Sequence, residues 1–289
     1  MSGQKEILKN LIAKVIIIVI SLKGGVAKTT TSCSIAEYIA NHLKKKVVIL
    51  DMDITNPSVP KMLGLYKREL TFSEHGNIEP VKQSPFLKVM SVDFFLPSSD
   101  QPILFNENRK ITHMIQFLKS VEFGTCDYAV IDTPPTTSPE LFTILDLFKN
   151  SNIRIVLTTQ PGEASSSSVQ KSIKHLVTLG LPISGIICNM DGFTCKHCGT
   201  YDPIFPRPVS IQDLAKKYGI PFLGSIQLGT VQENPKHCLV INPTALAPVV
   251  QKILITKPVK FEPKYKDLSL FQKAMIAHNM QKNLNKAIR

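Results

Sequence analysis

The 289-residue sequence contains no run of about 18 consecutive apolar residues, the length that a membrane-spanning helix requires. Its apolar run at 15–20 is too short for that purpose, and no small-residue cleavage site of a signal peptide follows it. Its six cysteines are irregularly spaced, unlike those of a disulfide-stapled domain. Internal repeats are also lacking. We therefore expect a cytoplasmic protein with reduced thiols and no membrane partner.

The positive charge is concentrated near the C-terminus. The net charge is +12, and residues 252–289 hold nine Lys or Arg against two acids, which is +7 of that total. We therefore divide the chain into a domain at 1–256 and a basic tail at 257–289. We favour a solvated tail over contact with nucleic acid or another acidic surface. The lysines of its predicted helix, 268–288, are scattered around the axis, which does not suit a membrane.

Strand-like and helix-like segments alternate along the chain. With 43% hydrophobic residues, this pattern predicts an α/β fold with a mostly parallel sheet and helices on both faces. A serine run at 165–168 is expected to cap the helix that follows it, and Ser210 is expected to cap a helix that ends at Tyr218. The predicted strands are 15–20, 46–50, 87–92, 127–132, 153–159, 183–189 and 220–226, and further helices are predicted at 32–43, 108–123 and 245–255.

The first strand leads into a glycine-rich turn, a Lys-Thr pair and a helix, an arrangement typical of a phosphate-binding loop. Backbone N–H groups of such a turn point at the phosphates of a nucleotide, and the helix N-terminus adds a positive potential. Lys28 would reach the β- and γ-phosphates of ATP, and the Thr29 hydroxyl would bind Mg²⁺. The predicted nucleotide-binding residues of this loop are Lys23, Gly24, Gly25, Val26, Ala27, Lys28, Thr29 and Thr30.

The loop departs from the common pattern G-x-x-x-x-G-K-[ST], because Leu22 and Ala27 stand where glycines belong. If the backbone requires a positive φ at Ala27, its Cβ costs about 1 kcal/mol and weakens nucleotide binding. The segment Lys23-Gly24-Gly25-Val26-x-Lys28-Thr29-Thr30 resembles instead the deviant P-loop of the ParA, MinD, Mrp and nitrogenase-iron-protein class. That resemblance implies that Lys23 reaches the nucleotide of a partner subunit.

Three acids follow buried strands, where parallel sheets bind their ligands. Asp53 is placed to orient an attacking water or to support Mg²⁺, and Asp132 has the position of an acid that contacts the Mg²⁺ shell. We expect Asp51 to stabilise its own loop through hydrogen bonds. A strand-terminal Asp alone commonly caps a turn, but two such acids beside the loop favour phosphate binding.

Cys195 and Cys198 form a C-x-x-C pair in a segment rich in glycine and proline, 193–208, which predicts a protruding loop. Two thiolates at this spacing can bind one metal but do not close its coordination sphere. His197 or a remote cysteine could complete the site, the pair could be a redox dithiol, or two chains could each supply two thiolates. The remote cysteines are Cys33, Cys126, Cys188 and Cys238.

Residues 14–256 resemble the Mrp-type iron–sulfur scaffold ATPases. The resemblance implies a homodimer, or a heterodimer with a paralogue, that binds ATP and hydrolyses it slowly. It also implies a 4Fe–4S cluster bridged between two C-x-x-C pairs, transfer of that cluster to apo iron–sulfur client proteins, and an adenine contact from Asn189. The motifs that carry it are Asp51-Met52-Asp53-Ile54, Ile131-Asp132-Thr133-Pro134-Pro135, Asn189-Met190-x-Gly192-Phe193-x-Cys195-x-x-Cys198 and Pro221-Phe222-Leu223-Gly224-Ser225-Ile226.

The sequence also differs from this family. Thr136-Thr137 replaces the usual Gly-Thr, and Pro139 stands where an acid is usual. Together with Leu22 and Ala27, these differences weaken the expectation of hydrolysis more than that of nucleotide binding. Two alternatives remain at this point. One is a positioning ATPase like ParA or MinD, which has no use for the cysteine pair, and the other is a non-catalytic dimer bridged by zinc.

Overall fold

An eight-stranded, mostly parallel sheet dominates the computed structural model, which describes residues 10–262 apart from 22, 67, 96–106, 136–137, 206–208 and 235–237. The strand order is β12-β9-β8-β1-β7-β2-β6-β5, and only the edge pair β5–β6 is antiparallel. This arrangement confirms the predicted fold class. The strands of this sheet are β1 Leu11–Ile20, β2 Val47–Asp51, β5 Val81–Ser84, β6 Leu87–Ser91, β7 Gly124–Asp132, β8 Ile153–Thr159, β9 Ile183–Asn189 and β12 Phe222–Ile226.

Helices cover both faces of the sheet. Helices α3 to α6 pack over one hydrophobic cluster on one face of the sheet. Helices α1, α2 and α7 pack over a second cluster on the other face. None of the helices in the described ranges has both the length and the apolar composition needed to cross a membrane. The helices are α1 Lys28–Glu37, α2 Val59–Met62, α3 Glu107–Ser120, α4 Pro139–Phe148, α5 Glu163–Leu179, α6 Ile211–Lys217 and α7 Pro243–Ile255, and α1 continues as a π-helical turn at Tyr38–His42.

The central strand β1 explains why both faces are buried. Its side chains alternate between the two hydrophobic clusters, with Ile16, Ile18 and Ile20 in one and Ile17 and Val19 in the other. A strand that is covered on both sides has an unbroken apolar sequence, as residues 15–20 of β1 do. The strand is longer than predicted, because it begins at Leu11 and pairs with β7 from there.

In the part of the chain that the structure describes, three short antiparallel hairpins accompany the sheet. One of them, residues 193–202, carries the C-x-x-C pair and is called the cysteine hairpin below. The others follow β2 and β12 in the chain. The hairpin strands are β3 Thr71–Phe72, β4 Ile78–Glu79, β10 Phe193–Thr194, β11 Tyr201–Asp202, β13 Val231–Glu233 and β14 Leu239–Ile241.

Two helix-start predictions have different outcomes. Ser210 caps α6 as predicted, since its hydroxyl accepts the backbone N–H groups of Gln212 and Asp213. The capping prediction for 165–168 is wrong, because α5 begins at Glu163 directly after Gly162 and contains this serine run.

The described beginning of the basic tail lies against the sheet. Val259 forms an antiparallel bridge with Ile183, and their backbone groups exchange hydrogen bonds of 2.8 and 3.0 Å. The predicted tail helix, 268–288, lies outside the described residues.

Candidate functional site

The phosphate loop, residues 21–27, joins β1 to α1 at the carboxyl edge of the sheet. The Ser21 hydroxyl closes it by donating to the Lys23 carbonyl at 2.6 Å and accepting the Lys23 N–H at 3.2 Å. Gly25 and Ala27 have φ values of 77° and 56°. The structure thus shows the positive φ that the sequence raised as a condition at Ala27, the residue that precedes α1.

A buried ion pair lies directly behind this loop. The Lys28 ammonium donates to Asp132 Oδ1 at 2.7 Å, and the two side chains are only 8% and 0% exposed. Thr29 donates its hydroxyl to Asp132 Oδ2 at 2.8 Å. One carboxylate at the end of β7 therefore holds both polar side chains that the sequence assigned to the phosphates and to Mg²⁺.

Ser32 is a member of this cluster that the sequence analysis missed. Its hydroxyl lies 2.7 Å from Asp132 Oδ1 and 3.1 Å from the Lys28 carbonyl. The signal available in the sequence was its spacing of four residues from Lys28, which places both on one side of a helix. The cluster offers hydroxyl and carboxylate oxygens, the ligands that Mg²⁺ prefers, so Thr29 and Asp132 fit a magnesium ion.

Asp51 is fully buried and accepts four hydrogen bonds. The donors are the backbone N–H groups of Asp53, Ser58 and Val59 and the hydroxyl of Ser91, at 3.0 to 3.3 Å. Burial and the nearby Asp132 carboxylate raise the pKa of Asp51 to about 8. These contacts fold residues 51–59 around the carboxyl group, which is the hydrogen-bonding role that we expected for Asp51.

Asp53 lies at the same edge, in the segment that follows β2. Its Oδ1 accepts the Asn56 N–H at 3.2 Å, and its side chain is nearly buried. Burial raises the pKa of Asp53, whereas the Asn56 N–H and the positive charge of Lys28 lower it. Asp53 thus lies near Lys28 at this edge of the sheet, where a carboxylate can orient a water molecule.

Asn189 ends β9 and is buried against the phosphate loop. Its Nδ2 donates toward the carbonyl oxygens of Val26 and Ala27, at 3.2 and 3.5 Å, and toward Thr31 Oγ1 at 3.2 Å. The sequence resemblance gave Asn189 only an adenine contact, and the bonds to the loop are an addition from the structure. They span more than 150 positions in the chain, so no local pattern could have indicated them.

The cysteine hairpin presents its thiols at a tight turn. The Gly199 N–H donates to the Cys195 carbonyl at 2.8 Å, and the Cys195 N–H donates to the Thr200 carbonyl at 2.9 Å. Cys198 is exposed, and its Sγ lies 3.3 Å from the Thr200 hydroxyl oxygen. Hydrogen bonds from Thr200 and Cys195 lower the pKa of Cys198 to about 7, which favours the thiolate that binds metals.

The other four cysteines have the opposite environment. Cys33, Cys126, Cys188 and Cys238 are buried, and none of the six cysteines, all within the described residues, forms a disulfide. Burial raises the pKa of Cys126 to about 11 and raises that of Cys33 well above its usual range. Within the part of the chain that the structure describes, no three His, Cys, Asp or Glu side chains gather as a metal site.

The site therefore has two parts at one edge of the sheet. Lys28, Thr29, Asp132 and Asp53 lie beside the phosphate loop, and the cysteine hairpin begins four residues after Asn189. Thr136 and Thr137 lie outside the described residues. A phosphate loop that ends in a Lys-Thr pair held by a strand-terminal Asp, on a parallel sheet of this order, defines a P-loop NTPase.

Comparison with known proteins identifies the branch of that class. The profile of the family described as ParA, NUBPL iron-transfer P-loop NTPase, matches residues 12–242. The chain is 38% identical over 215 residues to the cytosolic Fe-S cluster assembly factor NUBP2 homolog of Dictyostelium discoideum, covering 73% of this chain and 80% of the relative. It is also 38% identical over 212 residues to the iron-sulfur cluster carrier protein of Methanocaldococcus jannaschii, covering 73% and 72%.

A solved structure agrees with this assignment. The nucleotide-binding protein of Archaeoglobus fulgidus, solved in complex with ADP, superimposes with a TM-score of 0.65 at 28% identity, covering 94% of this chain and 95% of that one. The present chain therefore belongs to the NUBPL iron-transfer P-loop NTPase family.

Proposed function

We propose that this protein is an ATP-binding scaffold and carrier of iron–sulfur clusters. It assembles a 4Fe–4S cluster between two chains and passes it to apo-proteins. The observation that carries the proposal is the thiol pair of half-buried Cys195 and exposed Cys198, at the sheet edge that also holds the phosphate loop. Two relatives at 38% identity are named as an iron–sulfur assembly factor and an iron–sulfur carrier, which supports the same cargo.

ATP is the proposed substrate of the phosphate loop. The backbone N–H groups of residues 24–28 receive its phosphates, and Lys28 exchanges part of its ion pair with Asp132 for them. Thr29 and Asp132 hold the Mg²⁺ ion, which would neutralise charge on the phosphate oxygens. Asp53 orients the attacking water, and hydrolysis is slow because Pro139 and the Thr136-Thr137 pair alter the segment after β7.

A dimer completes the cluster site in this proposal. A 4Fe–4S cluster takes four thiolates, and the hairpin supplies two. An isologous interface brings the same patch of each subunit together, so two hairpins facing each other provide the full set. The hairpin and its flank also expose Phe193, Tyr201 and Ile204, at 38%, 41% and 48%, which is apolar surface suited to a subunit contact.

The same dimer accounts for the early lysine of the loop. Lys23 would reach across the interface to the nucleotide of the partner subunit, as the deviant P-loop pattern implies. The partner is a second copy of this chain or a paralogue, and the acceptors of the cluster are apo iron–sulfur proteins. We place this activity in the cytoplasm, in line with the name of the Dictyostelium relative.

Anaerobic reconstitution with iron and sulfide tests the cargo. We expect the parent protein to bind close to one 4Fe–4S cluster per two chains. The double change Cys195→Ser, Cys198→Ser should abolish binding while ATP binding, measured by calorimetry, persists. His197→Ala is the matched control, since it changes an exposed residue between the two thiols and should keep the cluster. A cluster that survives the double change would refute the proposal, and zinc bound in place of iron would return the site to a structural role.

A further inference from the structure

One short segment connects the phosphate loop to the cysteines. This linking segment, residues 189–192, begins with Asn189 at the end of β9 and leads directly into the cysteine hairpin. Asn189 is only 4% exposed, and its single amide nitrogen lies between the Val26 carbonyl and the Thr31 hydroxyl, 3.2 Å from each. The segment is therefore attached to the loop at its first residue.

The two carbonyl groups that Asn189 contacts belong to peptide groups whose N–H would bind the phosphates. The Val26 carbonyl shares its planar peptide with the Ala27 N–H, and the Ala27 carbonyl shares its own with the Lys28 N–H. A rotation that turns the Ala27 N–H toward a phosphate oxygen moves the Val26 carbonyl on the opposite side, whereas the Ala27 carbonyl is held by the Thr31 N–H. Asn189 donates toward both of these carbonyls, so such a rotation changes its hydrogen bonds.

The other end of the linking segment is clamped to the hairpin. Tyr201 Oη donates to the Asp191 carbonyl at 3.1 Å, and a Cβ at Gly192 would overlap the Tyr201 side chain. The Leu228 N–H donates to the Gly192 carbonyl at 2.9 Å. Because hydrogen bonds hold both ends of the linking segment, we expect a shift of Asn189 to change the position of Tyr201 as well.

Tyr201 is adjacent in the chain to Thr200, which contacts both cysteines. Thr200 accepts the Cys195 N–H and lies 3.3 Å from Cys198 Sγ, so the position of β11 sets the environment of both thiols. Strained backbone is present in the phosphate loop and in the linking segment. Ala27 and Met190 are two of the four non-glycine residues with positive φ among the described residues, and such strain is typical of segments that switch between two arrangements.

We infer that the linking segment, through Asn189 and Tyr201, transmits nucleotide binding at the phosphate loop to the thiols of Cys195 and Cys198. Asn189 and Tyr201 are positioning residues in this mechanism, since neither needs to touch the cluster. Allosteric coupling is reciprocal. Metal binding at the thiols should therefore change the nucleotide affinity by the same factor by which the nucleotide changes the metal affinity. The inference rests on the nucleotide binding of the proposed function but does not require that the cargo be an iron–sulfur cluster.

Thiol alkylation measures this coupling without any cluster. The reduced, cluster-free protein is treated with iodoacetamide, with and without a saturating non-hydrolysable Mg·ATP analogue, and peptide mass spectrometry gives the rates at Cys195 and Cys198. We expect the nucleotide to change these rates about fivefold in the parent, the lower end of ordinary allosteric coupling. Asn189→Ala and Tyr201→Phe should each reduce the change to less than about twofold. Calorimetry on each variant sets the saturating concentration.

The control variant is Asn10→Ala. Asn10 also uses its amide, in a 3.1 Å bond to the Lys119 carbonyl, but it is remote from the loop and should keep the full response. If the nucleotide changes the alkylation rates equally in the parent and in all three variants, the effect comes from subunit association and the inference is overturned. A parent that binds the analogue with no change in thiol rates would overturn it too, while leaving the proposed function intact. A parent that fails to bind the nucleotide would overturn both.

Discussion

Ala27 provides a quantitative test of the phosphate loop, because its backbone has φ 56° and ψ 41°, in the left-handed region. An L-residue with a Cβ is strained there, whereas glycine is not. Ala27 also stands at the N-cap of α1, where glycine is preferred over alanine. The substitution Ala27→Gly removes both penalties and leaves untouched the Ala27 carbonyl, which accepts the Thr31 N–H at 3.0 Å and its hydroxyl at 2.9 Å.

The expected gain is about 1 kcal/mol in the free energy of unfolding. Glycine has more conformational freedom than alanine in the unfolded chain, which reduces the gain. The figure of about 1 kcal/mol is the net value after this reduction. For a domain of this size the corresponding rise in melting temperature is about 2 °C.

Two neighbouring glycines supply matched controls. Gly25 has φ 77° and no heavy atom within 4 Å of the place where a Cβ would stand, so Gly25→Ala should lose about 1 kcal/mol through backbone strain alone. Gly24 has equally open space but no positive φ, so Gly24→Ala should change the stability by less than about 0.5 kcal/mol. Denaturant unfolding of the three variants measures all three values. An Ala27→Gly protein less stable than the parent would refute the argument.

Three further predictions concern the charged residues of the site. Lys28→Ala should raise the Kd for ATP at least tenfold, about 1.4 kcal/mol, and an unchanged Kd in calorimetry would contradict the assignment. Asp53→Asn should slow steady-state phosphate release more than Asp51→Asn, and the reverse order would exchange their roles. The raised pKa of Asp51, about 8, means that the folded state holds a proton that the unfolded state loses near pH 4. The stability should therefore fall from about pH 4 to pH 8, and Asp51→Asn should flatten that decline in unfolding curves.

Local sequence signals predicted the frame of the site. The β-branched run at 15–20 marked the central strand, and the lysine and glycine pattern after it marked the loop. The comparison with the common loop pattern raised a positive φ at Ala27 as a condition, and the structure has it there. Strand-terminal Asp51 and Asp132 lie side by side in register on β2 and β7, as parallel strands that end at one edge require.

What the sequence could not supply was contact between distant residues. Ser32 joins the Asp132 cluster from 100 positions away, and Asn189 reaches the loop from 163. Such partners follow from strand order, which local periodicity does not encode. The prediction that the serine run at 165–168 caps a helix failed for a different reason. Serine is a favoured N-cap, but the N-cap here is Gly162, so the helix has already begun at Glu163.

Native mass spectrometry of anaerobically reconstituted protein tests the central claim most directly. The proposed function predicts a dimer that carries one 4Fe–4S cluster, and a monomer without a cluster in the double variant Cys195→Ser, Cys198→Ser. Each hairpin supplies two thiols, so the cluster and the dimer should appear and disappear together. A monomer that carries a complete 4Fe–4S cluster would contradict the claim.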